Sequence, residues 1–257
     1  MNIRHTIFKV LILGLCVAFT SPAQAAGDAK HPIDVKWQHD GWFGTFDQAS
    51  LQRGFQVYRQ VCSACHSMDL VAYRNLMDLG YTDQQVRTIA SEYTFEAGPN
   101  DEGEMFERPG VPADRFKNPY PNKKAAAYAN GGALPPDLSL IVKARHYNED
   151  YIYSLLTGYR EAPADVTMPS GMYYNDYFPG HKISMAPPLM EGVVMYEDGT
   201  EATVEQMAKD VTTFLAWTSD PHKVERNETG IKVLIFLIVF LLIMIGVKRK
   251  VWKGVDH

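Results

Sequence analysis

The 257-residue chain predicts a mainly α-helical fold that ends in one membrane-spanning helix. Three patterns lead there. Leu51, Gly54, Phe55, Tyr58, Val61, Cys62 and Cys65 recur at steps of three and four, which predicts a helix from Asp47 to Ser67. Val204, Met207, Ala208, Val211, Phe214 and Leu215 repeat the same spacing over 203–217. Val233 to Val247 then runs fifteen residues without a charge.

Taken in chain order, residues 1–25 read as a secretory signal. Arg4, His5 and Lys9 form a charged start, Val10 to Phe19 is too short to span a bilayer, and Ala23-Gln-Ala25 is a small-x-small cleavage site. Asp28 to Gly44 is mixed and aromatic, with Trp37, Trp42 and Phe43, and predicts a segment that wraps the surface. In the helix that follows, Gly54 shares a face with Tyr58 and Cys62, so another helix can cross closely there. Between Tyr93 and Pro136 seven prolines predict a long irregular stretch of functional or solvated loop. Asp101, Glu102, Glu104 and Glu107 make it the most acidic part of the chain, either a solvated face or a docking surface for a cationic protein. A third helix is predicted over Glu149–Leu156. Thr203 and Gln206 form a plausible capping box for the helix over 203–217, and Pro221 follows its end.

About 12 residues later comes the span, 229–248. Its uncharged centre covers only ~22 Å at 1.5 Å per residue, and extension to Thr229 with Lys232 snorkelling approaches the ~30 Å hydrocarbon core. Lys248, Arg249, Lys250 and Lys253 follow it, a positive-inside flank with Trp252 at the interface. The expected topology is a domain over 26–228 outside and a tail over 249–257 inside. Residues 26–229 carry 18 Lys and Arg against 29 Asp and Glu, a net charge of −11. That balance argues against nucleic acid and against electrostatic docking on anionic lipid, and it suits either a basic soluble partner or plain solubility.

Cys62-Ser-Ala-Cys65-His66 carries the chemistry. Two thiols three residues apart lie on one helical face and can reach both vinyl groups of one porphyrin, and the histidine that follows can place a ring nitrogen on its iron. A zinc site of common type wants a second CxxC or an HxxxH pair, and the sequence has neither. A redox dithiol wants a βαβ context, and the flanks here are helical. Of the three cysteines, Cys16 falls in the secretory segment, which leaves this pair for haem. The opposite face of the iron has several candidates: His31, His39, His146, His181 and His222, and Met168, Met172, Met185, Met190 and Met195. Met68 stands too close to His66 to reach that face. Met185 is favoured because Pro187 and Pro188 hold the backbone after it extended and stiff.

The chain resembles the cytochrome c1 family, the haem c subunits of the ubiquinol–cytochrome c oxidoreductase (cytochrome bc1) complex, over nearly its whole mature length. The resemblance rests on ordered blocks: RGFQVYRQVCSACHSMDLVAYRNL from Arg53, AGPNDEGEMFERPG from Ala97, NPYPNKKAAAYANGGALPPDLS from Asn118, ARHYNEDYIYSLLTGY from Ala144, YFPGHKISMAPPL from Tyr177, and the anchor. It implies a class I cytochrome c-like haem domain with long loop insertions plus the C-terminal transmembrane helix. It implies one covalent haem c on Cys62 and Cys65, with His66 and Met185 as axial ligands. Pro136 would offer its carbonyl to the His66 ring, Leu138 would pack on the porphyrin, and Arg145 and Tyr151 would contact the propionates. Some bacterial members brace the methionine with a disulfide, for which this chain has no cysteines left.

The implied role is electron transfer without substrate chemistry at this haem, so no catalytic residue is expected. The implied partners are cytochrome b, the Rieske iron–sulfur protein, a soluble cytochrome c and membrane lipid through one helix, in a dimeric complex of a bacterial inner membrane with the haem domain in the periplasm. Two other readings are a free-standing membrane-anchored monohaem cytochrome and an open-site haem enzyme or sensor.

Overall fold

A computed structural model describes residues 29–254; the secretory segment expected over 1–25 lies outside them. The helices are α1 (Gln48–Gln60), α2 (Asp83–Ser91), α3 (Lys123–Ala129), α4 (Asn148–Thr157), α5 (Val204–Ser219) and α6 (Lys223–Val251). Two short antiparallel pairs join β1 (Thr94–Ala97) to β2 (Phe106–Pro109) and β3 (Tyr173–Tyr174) to β4 (Lys182–Ile183).

The α1–α5 crossing is the most extensive packing between helices. Gly54 makes it possible: a Cβ there would lie 2.1 Å from the Asp210 carbonyl oxygen and 2.7 Å from Phe214 Cβ. Phe55, Tyr58 and Trp217 each pack on Phe214 with ring centroids 5.8 Å apart. The fully buried Asp210 is held by Ser50 Oγ at 2.5 Å, Arg53 Nε at 2.8 Å and Gln206 Nε2 at 2.9 Å. A buried carboxylate survives only with such donors around it. Thr203 caps α5 by accepting from the Gln206 N–H at 3.1 Å. The Gln206 side chain reaches Asp210 instead of turning back, so the expected capping box is half formed.

The structure shortens the first predicted helix. Asp47 caps α1 by accepting from the Ser50 N–H at 2.8 Å, but α1 ends at Gln60 rather than Ser67. Val61 takes φ −119°, and Cys62–Ala64 forms one 3-10 turn. The Cys62 carbonyl accepts from both Cys65 N at 3.1 Å and His66 N at 2.9 Å. Such tightening is a common way for a helix end to satisfy its last carbonyls. The haem-attachment motif therefore sits on a turn beyond the helix.

The stretch expected to be irregular holds order. The hairpin β1–β2 pairs Thr94 with Pro109 and puts Asp101, Glu102 and Glu104 in its connecting loop and Glu107 on β2. A 3-10 segment, Tyr73–Leu79, and α2 precede it; α2 starts with a full capping box between Thr82 and Gln85. The N-terminal segment does more than wrap the surface. Trp37 and His39 are buried, Trp37 Nε1 donates to Asp150 Oδ1 at 2.8 Å, and the Ile33 N–H donates to Ser154 Oγ at 2.8 Å, both on α4.

Among the described residues α6 is the one helix long and apolar enough to cross a membrane, with 29 residues and a mean hydropathy of 3.0 in its apolar window. The connector expected to span about 12 residues is largely helical. Only Asp220, Pro221 and His222 separate α5 from α6. Arg226 grips Asp220 through two bonds of 2.6 Å, and Lys143 adds a third at 2.9 Å.

Candidate haem-attachment site

The turn after α1 is fixed to a loop 70 residues away by its own backbone and one carboxylate. His66 Nδ1 lies 2.8 Å from the carbonyl oxygen of Pro136. With the proton on Nδ1 this is a bond donated to the carbonyl, and Nε2 keeps its lone pair for a metal. Burial pushes the His66 pKa below its ordinary value, against the opposing pull of the Pro136 carbonyl and Asp137. The neutral, ligating form is the one the site favours.

Asp137 is the knot of the loop. Its Oδ2 accepts from Ser67 Oγ at 2.9 Å and from the Asp69 N–H at 2.7 Å, while its Oδ1 accepts from the Ser139 N–H at 2.9 Å. Burial alone would raise its pKa, but bonds from Ser139, Asp69 and Ser67 outweigh that and hold the carboxyl below the usual range. The Leu138 N–H donates to the Ser67 carbonyl at 2.9 Å, and its side chain is buried in the core. Cys65 is exposed; Cys62 is half-buried, and burial pushes its thiol up to about 12. Neither cysteine is in a disulfide.

The remaining candidates form a second group. Met185 is half-buried just after β4, and its carbonyl accepts from the Tyr159 hydroxyl at 3.1 Å. Tyr159 forms a backbone bridge to Asn175, which is fully buried. Asn175 Nδ2 donates to the Leu155 carbonyl at 2.8 Å, and its Oδ1 accepts from the Tyr177 N–H at 3.0 Å. The segment leading to Met185 is thereby tied to α4. Burial raises the Tyr159 hydroxyl, and the neighbouring Tyr151 raises it further. Burial also raises Tyr151, opposed by the nearby Arg145. Arg145 is half-buried and donates to the Ala144 carbonyl at 3.1 Å; among the described residues no carboxylate pairs with it. Asp137, Tyr159 and Asn175 were not singled out from the sequence. Asp137 had a readable signal, an aspartate two residues before a serine N–H in a proline-led turn; Tyr159 and Asn175 act through contacts with no local pattern.

The donor set fits covalent haem: two thiols outside any disulfide, a neutral imidazole oriented from behind, and a thioether on a braced strand end. Carried on a single long apolar helix, this defines a membrane-anchored c-type cytochrome. The model of the cytochrome c1 family matches residues 37–255, and the chain belongs to that family. It is 47% identical to cytochrome c1 of Rhodospirillum rubrum over 98% of this chain and 99% of that one. It is 52% identical to the mitochondrial cytochrome c1 haem protein of Saccharomyces cerevisiae, over 90% of this chain and 75% of that one. It is also 52% identical to the mitochondrial cytochrome b-c1 complex catalytic subunit of Candida albicans, over 91% of this chain and 81% of that one.

Proposed function

We propose that this chain relays single electrons from a Rieske iron–sulfur protein to a soluble cytochrome c, as the cytochrome c1 subunit of a quinol–cytochrome c oxidoreductase built around cytochrome b. The observation that carries this reading is the His66–Pro136 contact at 2.8 Å, which presents one imidazole nitrogen to a metal from the turn that bears both thiols. Haem c, when attached, supplies a one-electron iron couple. The chain's own residues do the rest. Cys62 and Cys65 would tether the group by thioethers. His66 would hold the iron through Nε2, with the Pro136 carbonyl fixing the ring angle and strengthening that nitrogen as a donor. Met185 would supply a thioether, a donor that favours ferrous iron and raises the potential. Leu138 would pack against the porphyrin, and Arg145 and Tyr151 would hold its propionates.

An iron held by both His66 and Met185 would have no open position for oxygen or peroxide, which would favour electron transfer over an open-site enzyme or sensor. The expected layout is a cleaved signal over 1–25, a periplasmic haem domain over 26–228, a span over 229–248 and a cytoplasmic tail over 249–257, in a dimeric complex of a bacterial inner membrane. Met185→Leu tests the reading. The haem should stay attached while the midpoint potential falls and reduction of cytochrome c stops; an unchanged potential assigns the ligand to another residue. Copurification with cytochrome b after mild detergent extraction distinguishes a complex subunit from a free-standing cytochrome.

A further inference from the structure

The N-terminal segment carries a feature that electron transfer does not use. Trp42 and Phe43 stand side by side at the tip of a turn with 62% and 86% of their surface exposed. Single exposed apolar side chains are ordinary, but two adjacent large aromatics on a rigid tip are a contact surface in want of a partner. The base of this turn is closed. The Asp40 N–H donates to the Trp37 carbonyl at 3.2 Å, and the Trp37 N–H donates to Asp40 Oδ2 at 3.3 Å. His39 is fully buried, stacks on Phe46 with centroids 4.5 Å apart, and meets Glu149 at 3.4 Å. The chain then returns so closely that a Cβ on Gly44 would sit 2.2 Å from the Asp40 carbonyl oxygen. The aromatic pair is thus presented by a locked scaffold.

The same turn is joined to the anchor. Asn227 Nδ2, on α6, donates to the Gly41 carbonyl at 3.3 Å, next to Trp42. Asn227 lies two residues before Thr229, where the span begins, and six before Val233, where the uncharged run begins. That is about 3–9 Å along a helix axis, within or close to the headgroup layer. We propose that Trp42 and Phe43 insert into the headgroup–acyl boundary of the bilayer that α6 crosses, giving the domain a second membrane contact beside its anchor. Aromatic side chains are enriched at that depth. No lysine or arginine lies between Lys36 and Arg53, so the contact is apolar rather than electrostatic and does not require anionic lipid.

The test uses the mature holo-chain in nanodiscs. Cys62 and Cys65 are consumed as thioethers there, so Phe43→Cys offers a single thiol for a nitroxide. Its collision rates with oxygen and with a neutral nickel chelate are read by power-saturation spectroscopy, with Trp42→Cys as a second position and Val239→Cys in the span as reference. The oxygen-to-nickel ratio at 43 should exceed that of the free label in buffer at least threefold, in pure phosphatidylcholine as well as in an equal mixture with phosphatidylglycerol. A ratio equal to that of the free label at both positions overturns the proposal. So does a label that is shielded from both reagents once cytochrome b is bound, because the pair is then a subunit contact. A nickel-accessible label at 239 would instead refute the membrane anchoring on which the proposal rests.

Discussion

Gly54→Ala should destabilise this protein although it improves the helix. In an exposed helix interior alanine is favoured over glycine by ~0.5–1 kcal/mol. At the α1–α5 crossing the new Cβ would lie 2.1 Å from the Asp210 carbonyl oxygen and 2.7 Å from Phe214 Cβ. Ordinary contact needs about 3.3–3.6 Å, so the two helices must part locally by about 1.2–1.5 Å. A gap of that size forfeits about half or more of the attraction between facing atoms. Here those atoms belong to Phe55, Tyr58, Val211 and Phe214, and the parting also strains the Arg53–Asp210 bond of 2.8 Å. Overpacking of this kind costs about 1–3 kcal/mol, and subtracting the propensity gain of ~0.5–1 kcal/mol leaves a net loss of about 1–2 kcal/mol. For a domain of this size that lowers the melting temperature by about 2–8 °C. The assay is thermal and guanidinium unfolding of the holo-chain in detergent, followed by circular dichroism. Gly230→Ala, where no atom lies within 4 Å of the added Cβ, is the matched control and should be neutral or slightly stabilising. A Gly54→Ala protein as stable as the parent would show that the helices do not cross at this spacing.

Three further outcomes are expected. Asp137→Asn removes the charge that gathers Ser67, Asp69 and Ser139, and should cost about 1–2 kcal/mol while shifting the midpoint potential through a looser His66; unchanged melting and redox titrations would show that the loop does not brace the turn. Asp220 is held at about 2 in the fold against 3.8 when free, chiefly by Arg226. Its folded pKa is the lower one, so its contribution is complete above about pH 4 and is lost as pH falls toward 2. That contribution is about 1 kcal/mol once partial solvent screening is allowed for, and an acid titration of unfolding free energy should be flatter between pH 4 and 2 in Arg226→Ala. Replacing Asp101, Glu102, Glu104 and Glu107 by their amides should flatten the salt dependence of cytochrome c reduction; an unaltered slope would mark the hairpin as a solvated face.

The two crossing helices and the anchor were legible because each writes a strong pattern: a 3.6-residue stripe in α1 and α5, and an uncharged run in α6. Gly54 announced the crossing for the same reason. The end of α1 was not legible, since the apolar stripe continues through Val61, Cys62 and Cys65 while the backbone tightens beneath it. The hairpin and α2 were hidden by proline punctuation and short length. Only Val86, Ile89 and Ala90 of α2 are buried, too few for periodicity to stand out, although the Thr82–Gln85 box was there to be read. At the site, Cys62, Cys65 and His66 follow from spacing alone. The partnership of His66 with Pro136 bridges 70 residues and entered through family resemblance rather than any local pattern. The bracing of the Met185 segment by Tyr159 and Asn175 is equally non-local.

The three-residue joint between α5 and α6 makes the bilayer a mechanical input to the haem domain. Asp220 is clamped by Arg226 and Lys143, and the Lys223 N–H closes back on the Asp220 carbonyl at 3.1 Å, so the joint has little room to act as a hinge. A helix whose hydrophobic length differs from the surrounding hydrocarbon tilts or distorts its lipid, at a fraction of a kcal/mol per ångström. With a stiff joint, a change of tilt in α6 becomes a rotation of the domain above it. Membrane thickness would then set the angle at which the haem edge faces its redox partners.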